Sequence, residues 1–490
     1  MKEATKRILD FFQQINAIPR CSKKEKEISL WLEQWGASNG FEIKKDPAGN
    51  LLIKVPASAG FEKAPIIVIQ GHMDMVCEKS PDSAHNFATD PIHHICDGDW
   101  LQANHTTLGA DNGIALALSM AVATDPDVVH PPLELLFTVD EETGLNGAKK
   151  IEPDLLEGRI FLNIDSETEG VFTVGCAGGR HTRVSLALDL SEKLEGETTF
   201  KLSVHGLKGG HSGIDIHKQR ANANLILARA LHRVAASGDL RLVTIKGGSA
   251  HNAIPRDAFA VFACQSDVGT GLDRIISEFE QTVKTEYDTR EPELSVTLSE
   301  AESEVHSEMA LTTEQTAAVI NLLLAIPHGV LGMSAIFEGL VETSNNLATV
   351  EISDSRLKIL TSQRSSALSR LDEATSRVRA VAELAGAQAQ SDSEYPPWTP
   401  DMNAALLKRC NATYEDLLGR KPKIMAIHAG LECAVIGAKY ADMDMISFGP
   451  DIEDPHSPTE RLFIPSLERV WDFMLALLKA FGNSQKKVRS

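Results

Sequence analysis

PIIVIQGHMDM, residues 65–75, decides the fold of this chain. Four β-branched apolar residues in a row, Ile66 to Ile69, read as a short strand buried on both faces, and Gly71 ends it. The polar pair His72 and Asp74 then stands at the carboxyl end of that strand. LLIKV (51–55), LELLFTV (133–139) and RIFLNI (159–164) repeat the pattern of short apolar runs. Between them IALALSMAVAT, opened by Asp111-Asn112-Gly113, reads as a buried helix. Apolar strands alternating with helices predict an α/β domain on a parallel or mixed sheet.

Past GCAGGR (175–180) the pattern changes. TRVSLAL (182–188) and TFKLSVHGL (199–207) alternate apolar with polar residues, as strands wet on one face do. Helices follow at NANLILARALHRVAA, about 271–286, TTEQTAAVINLLLAI and about 367–386, interleaved with more strands. This predicts two similar α+β units in succession, an inserted lid over 187–395. The polar, proline-rich stretch 388–403 reads as a linker back to the first domain, which comprises 1–186 and 396–490.

The chain has 490 residues, 43% of them hydrophobic, enough for two large cores. Its 48 Lys and Arg against 68 Asp and Glu give a net charge of −20, which repels phosphate backbones and argues against nucleic acid as a partner. The N-terminus, with Ile8, Leu9, Phe11, Phe12 and Ile15 among charges, reads as an amphipathic helix and not a signal peptide. No apolar run reaches the roughly 20 residues that span a bilayer, so no membrane association is expected. Seven scattered cysteines (21, 77, 96, 176, 264, 410, 433) with no CxxC predict buried, inert thiols, no disulfide framework and a cytoplasmic location.

Five strand ends or loops carry metal-binding and acid–base residue types: GHMDM (71–75), LGADNG (108–113), VDEETG (139–144), NIDSE (163–167) and DPHSPTE (454–460). A lone histidine is more often a structural residue than a ligand, and Asp111 alone reads as a helix cap. Together, two histidines, two aspartates and a glutamate form a nitrogen–oxygen set suited to zinc, cobalt or manganese. Two metals about 3.5–4 Å apart need a bridging carboxylate with terminal ligands on both sides.

In order and spacing these motifs resemble the aminoacylase, peptidase T and carnosinase family of co-catalytic zinc hydrolases, and its Xaa-His dipeptidase branch over essentially the whole length. The resemblance implies an α/β catalytic domain with two zinc ions, cobalt or manganese being the alternatives. It implies that His72 and Asp165 hold one metal, Glu142 and His456 the other, and that Asp111 bridges them. Asp74 would orient His72, and Glu141 would be the general base. LKGGHSGIDIH (207–217) matches the family's lid motif, with His211 stabilising the oxyanion. TSQRSS (361–366) places Arg364 as the clamp for a peptide carboxylate, SAHNAIPR (249–256) adds Asn252 as a substrate contact, and HAGLE (428–432) offers Glu432 to the substrate's α-ammonium. Two clamps around the metals would act as a ruler for dipeptides with free termini, Xaa-His and β-Ala-His included. Relatives that work as homodimers make a second copy of the chain an open question. Hydrolysis of N-acyl amino acids or tripeptides is the enzymatic alternative. A non-catalytic binding protein is disfavoured, because Glu141, Asp74 and all five ligands are present. His93, His94 and His105 lack ligand spacing and read as loop or surface residues.

Overall fold

The computed structural model describes residues 2–265, 271–301 and 308–483. They form two compact units: Met1–Gly175 with Trp398–Ala426 and Leu431–Ser490, and Cys176–Pro397 with Ile427–Gly430.

The first unit is built on an eight-stranded mixed sheet. Its order is Glu42–Lys45, Leu51–Val55, Leu133–Thr138, Ile67–His72, Ile160–Asn163, Asp444–Ser447, Val171–Cys176, Lys423–Ile427. The four central strands, from Leu133–Thr138 to Asp444–Ser447, run parallel. Ile67–His72 and Leu133–Thr138 are buried at every position, which explains their unbroken apolar character. The helix Ala110–Thr124 is also buried almost throughout and packs on Ile67–His72. That contact requires glycine at position 71, where a Cβ would lie 2.3 Å from Asn112 Oδ1 and 2.6 Å from Ala115 Cβ. The N-terminal helix Glu3–Asn16 buries Ile8, Phe12 and Ile15 on the face its periodicity predicts.

The second unit is built on one continuous nine-stranded sheet, with Ser295–Glu300 at one edge and Gln388–Tyr395 at the other. The two α+β units expected in succession exchange strands: Gly178–Ala187, from the first set, pairs with Arg356–Ser365 of the second, and Ser295–Glu300, from the second set, pairs with Glu197–His205 of the first. In the middle of the sheet Leu240–Gly247 pairs with Val341–Ser353 through Lys246↔Glu351 and Gly247↔Val350. Helices Ala223–Ala235, Leu272–Tyr287, Thr313–Ala325 and Leu368–Leu384 contribute to a single apolar core.

Three expectations are corrected. The first boundary lies at Gly175, not 186, because Gly178–Ala187 pairs on both sides within the second sheet. Residues Gln388–Tyr395 are an edge strand and not a linker, so the return to the first unit comes at Trp398. An edge strand has one neighbour and one wet side, which is why its sequence is polar. Finally, Cys21 and Cys77 form a disulfide and Cys96 is exposed, whereas Cys176, Cys264, Cys410 and Cys433 are the buried thiols expected. Among the described residues, no helix is long and apolar enough to cross a membrane.

Candidate metal centre

The parallel strands of the first unit end on one edge of the sheet, the position where open α/β sheets bind ligands. His72 is the last residue of its strand, Glu141 and Glu142 follow Leu133–Thr138, and Asp165 follows Ile160–Asn163. Asp111 enters from the start of the helix Ala110–Thr124. Its neighbour Asn112 ties two of these strands together, accepting from His72 N (3.1 Å) and donating to the Ile164 carbonyl (2.7 Å).

Asp111 divides its two oxygens between two histidines. Oδ1 lies 3.1 Å from His72 Nε2, and Oδ2 lies 3.0 Å from His456 Nε2. Asp165 Oδ1 is 3.4 Å from His72 Nε2, and Glu142 Oε2 is 3.1 Å from His456 Nε2. Two donor triads share Asp111, His72–Asp111–Asp165 and Asp111–Glu142–His456, and a third, His72–Glu141–Glu142, draws on the same cluster. Tetrahedral ligands at about 2.0–2.2 Å from zinc stand roughly 3.3 Å from each other, so these separations match a coordination shell. Asp140 and His456 adopt the left-handed backbone region (φ 51° and 60°), a departure that clusters at functional sites.

The electrostatics also fit cations. Burial raises Glu142 and Asp165 above the ordinary carboxylate range, with Asp111 adding to the rise in each case and the nearby histidines opposing it. Glu142 Oε1 is buried without a hydrogen-bond partner. Like charges about 4 Å apart repel by on the order of 4 kcal/mol at an effective dielectric of about 20, a cost that divalent cations reverse. Zinc, cobalt and manganese are all compatible with the donors present.

Asp74 contacts both His72 and the turn that carries Glu141 and Glu142. It is fully buried, with its carboxylate 3.4 Å and its own carbonyl 3.1 Å from His72 Nδ1. The same carboxylate accepts from Glu141 N (3.1 Å) and Glu142 N (3.2 Å), fixing the turn that carries both glutamates. Glu141 is half-buried and stands outside the two triads that share Asp111, although its carboxylate also groups with His72 and Glu142.

Glu432 is buried at the start of the helix Glu432–Gly437. It has no exposed surface, and Oε2 accepts from Gln70 Nε2 (2.5 Å) and Thr138 Oγ1 (2.7 Å). Burial pushes its carboxyl up to about 7. One carboxylate oxygen is thus engaged by two strands of the sheet, while Oε1 is buried without a hydrogen-bond partner.

In the second unit, His211, Arg364 and His428 converge on Gly213, where a Cβ would lie 2.3 Å from the His428 carbonyl and 3.2 Å from both Arg364 Nε and His211 Cε1. His211 Nδ1 accepts from Gly213 N (3.2 Å) and Ile214 N (3.0 Å), so its proton is on Nε2. Burial, with the Arg364 cation, lowers this imidazole to about 4. At neutral pH it is therefore an uncharged donor. Arg364 is 5% exposed, donates to the Tyr395 hydroxyl (2.5 Å) and keeps Nε unpartnered. Asn252 is exposed beside His211, its carbonyl accepting from Ser212 N at 2.7 Å. His428 escaped notice in the sequence, although it lies in the quoted HAGLE segment. Burial drives it down to about 3, and it shares a hydrogen bond with Ser344 Oγ at 2.7 Å. His94 is also more than a surface residue, since it packs on Phe12 and meets Asn16 Nδ2 at 2.9 Å.

A model of the M20 peptidase dimerisation domain matches residues 202–291. Over 470 residues the chain is 40% identical to the cytosol non-specific dipeptidase of Escherichia coli (strain K12), covering 96% of each. The crystal structure of aminoacylhistidine dipeptidase from Vibrio alginolyticus superposes with a TM-score of 0.86 at 39% identity, covering 98% of each chain. A tripeptidase from Staphylococcus aureus shares the fold at 17% identity and a TM-score of 0.56, covering 98% of this chain and 99% of its own. With sequence identity that high over nearly the full length, the chain belongs to the M20 peptidase family and is a peptide-bond hydrolase of the dipeptidase branch.

Proposed function

We propose that this chain hydrolyses dipeptides with free amino and carboxyl termini, Xaa-His and β-Ala-His among them, with two divalent cations held by His72, Asp111, Glu142, Asp165 and His456. The observation that carries this is the division of the Asp111 oxygens between His72 and His456. The names of the two full-length relatives supply the substrate class. Zinc is the cation favoured by a donor set with one histidine and one terminal carboxylate on each side of a bridge.

When bound, the cations polarise the scissile carbonyl and make the attacking water more acidic. Glu141 takes the proton from that water and delivers it to the nitrogen of the departing amino acid. His211 donates Nε2–H to the carbonyl oxygen as negative charge develops there, a role a neutral imidazole with an occupied Nδ1 is built for. Arg364 pairs with the C-terminal carboxylate, and Asn252 contacts the bound peptide. A cytoplasmic location accords with the name of the Escherichia coli relative, and a second copy of the chain, through residues 202–291, is the partner this assignment adds.

The test is a panel of Ala-His, β-Ala-His, N-acetyl-Ala-His and Ala-Ala-His, assayed on stripped and zinc-reloaded protein. Zinc-dependent cleavage confined to the two free dipeptides is expected. Turnover centred on the acetylated or longer peptide overturns the dipeptide assignment. Arg364→Ala is expected to raise KM for Ala-His about 10–100-fold, the worth of a charge-assisted pair, with kcat changed far less. An unchanged KM removes Arg364 from the carboxylate site.

A further inference from the structure

Two buried side chains of opposite charge grip the turn that carries Asp111, and neither is a donor to the metals. Glu460, 2% exposed, accepts four consecutive backbone N–H groups: Leu108 (2.8 Å) and Gly109 (2.9 Å) on Oε2, Ala110 (2.8 Å) and Asp111 (3.3 Å) on Oε1. Arg20, 1% exposed, donates through Nη2 to the Gly109 carbonyl (2.5 Å) and Asn16 Oδ1 (3.1 Å). Its Nη1 donates to the carbonyls of Met73 (3.2 Å) and Asp74 (3.1 Å). The N–H of Gly109 thus meets the anion and its C=O meets the cation. Glycine is required there, because φ is 70° and a Cβ would lie 2.4 Å from Arg20 Nη2.

Arg20 joins the Asp111 turn to the segment after His72, so a single guanidinium spans the backbones of two metal-binding elements. Arg20 is itself anchored: its carbonyl accepts from Met75 N (3.2 Å), and the next residue, Cys21, is bonded to Cys77. Asn16 closes the ring by donating to the Leu108 carbonyl at 2.8 Å.

We infer that Arg20 and Glu460 are positioning residues that hold Asp111 in its bridging geometry before any cation arrives. This rests on the two-cation assignment above. The charges offset each other electrostatically, so the turn gains four charge-assisted hydrogen bonds without leaving an uncompensated buried anion. Glutamine cannot replace Glu460, because its single acceptor oxygen serves one pair of N–H groups while its NH₂ group faces the other pair donor to donor.

The experiment is zinc titration of metal-stripped protein against a competing chromophoric chelator, for the unmodified chain, Glu460→Gln, Glu460→Asp and Arg20→Lys, with circular dichroism to confirm folding. Removing the outer partner of a metal ligand characteristically costs 10–100-fold in affinity. Zinc binding by Glu460→Gln and Arg20→Lys is expected to weaken by about that factor, with Glu460→Asp intermediate because it keeps the charge. At saturating zinc the KM for Ala-His is expected to stay unchanged and kcat to recover, a pattern that mere loss of fold stability would not give. If Glu460→Gln fails to fold, Arg20→Lys decides. Zinc affinities within about twofold of the unmodified chain, or failure of both variants to fold, overturn the inference. An unmodified chain that takes up no zinc overturns the two-cation assignment and this inference with it.

Discussion

Glu141→Gln is expected to bind zinc and dipeptide normally and to lose about 10²–10⁴-fold in kcat, the usual contribution of a positioned general base. KM for Ala-His stays near its original value, because Glu141 stands outside the two triads that share Asp111 and glutamine keeps its shape. The separation of kcat from KM is the signature of a group that acts only on the proton in flight. Loss of zinc together with activity would instead make Glu141 a ligand, and the division of work between it and Glu142 would have to be reversed.

The same substitution has a second, independent readout. In metal-free protein, burial raises the Glu141 carboxyl well above the usual range, with Asp165, Glu142 and Glu432 adding to the rise and His72 opposing it. A carboxyl raised on folding favours the fold below its unfolded pKa, and that contribution is lost as pH rises through the folded value. At neutral pH the stripped protein therefore carries a cost at Glu141, which glutamine removes. Stripped Glu141→Gln should melt no lower than the stripped parent, even though it is nearly inactive. A melting point several degrees lower would refute the crowding that makes this site attract cations.

The proposed ligands stand out in the sequence for a physical reason. A strand buried on both faces is a visible apolar run, and a charged residue placed at its end has few structural explanations. His72, Glu142 and Asp165 are all marked in this way, and His456 and Asp111 follow from motif order. The supports were not legible, because what marks them is distance across the fold. Glu460 lies four residues after His456 inside a quoted motif, but its partners are 350 positions away in the chain. Arg20 looks like any N-terminal arginine until the fold brings Met73, Asp74 and Gly109 around it. Cys21 and Cys77 carry no spacing signal, and their pairing follows from the parallel bridge between Cys21 and Met75. Glu432 shows the same limit: its place at a helix start is visible in the sequence, but its burial and the contacts of Oε2 with Gln70 and Thr138 come only from the fold.

Asp111→Asn should abolish the two-cation site. Asparagine offers one carbonyl oxygen where the bridge needs two, and its NH₂ group would face an imidazole nitrogen that must be free to bind metal. The lost attraction between one carboxylate charge and a neighbouring cation is on the order of 4 kcal/mol at an effective dielectric of about 20, which is roughly 10³-fold in affinity. Zinc content is expected to fall from two per chain to one or none, and activity to fall by at least the same factor. The stripped protein gives a contrast with Glu141. Burial alone would raise Asp111, yet hydrogen bonds and charge from His456 and His72 hold it well below the usual carboxylate range. His456 answers in kind, pushed up to about 11 chiefly by Asp111 and Glu142. A depressed carboxylate favours the fold above its unfolded pKa and loses that contribution only as pH falls through the folded value. At neutral pH, then, Asp111→Asn should lower the melting point of the stripped protein, where Glu141→Gln does not. Two carboxylates of one cluster with opposite effects on the stripped fold is what a bridge between two histidines and a free base predict. Equal effects of the two substitutions, or two zinc ions retained by Asp111→Asn, would show that Asp111 is not the bridge.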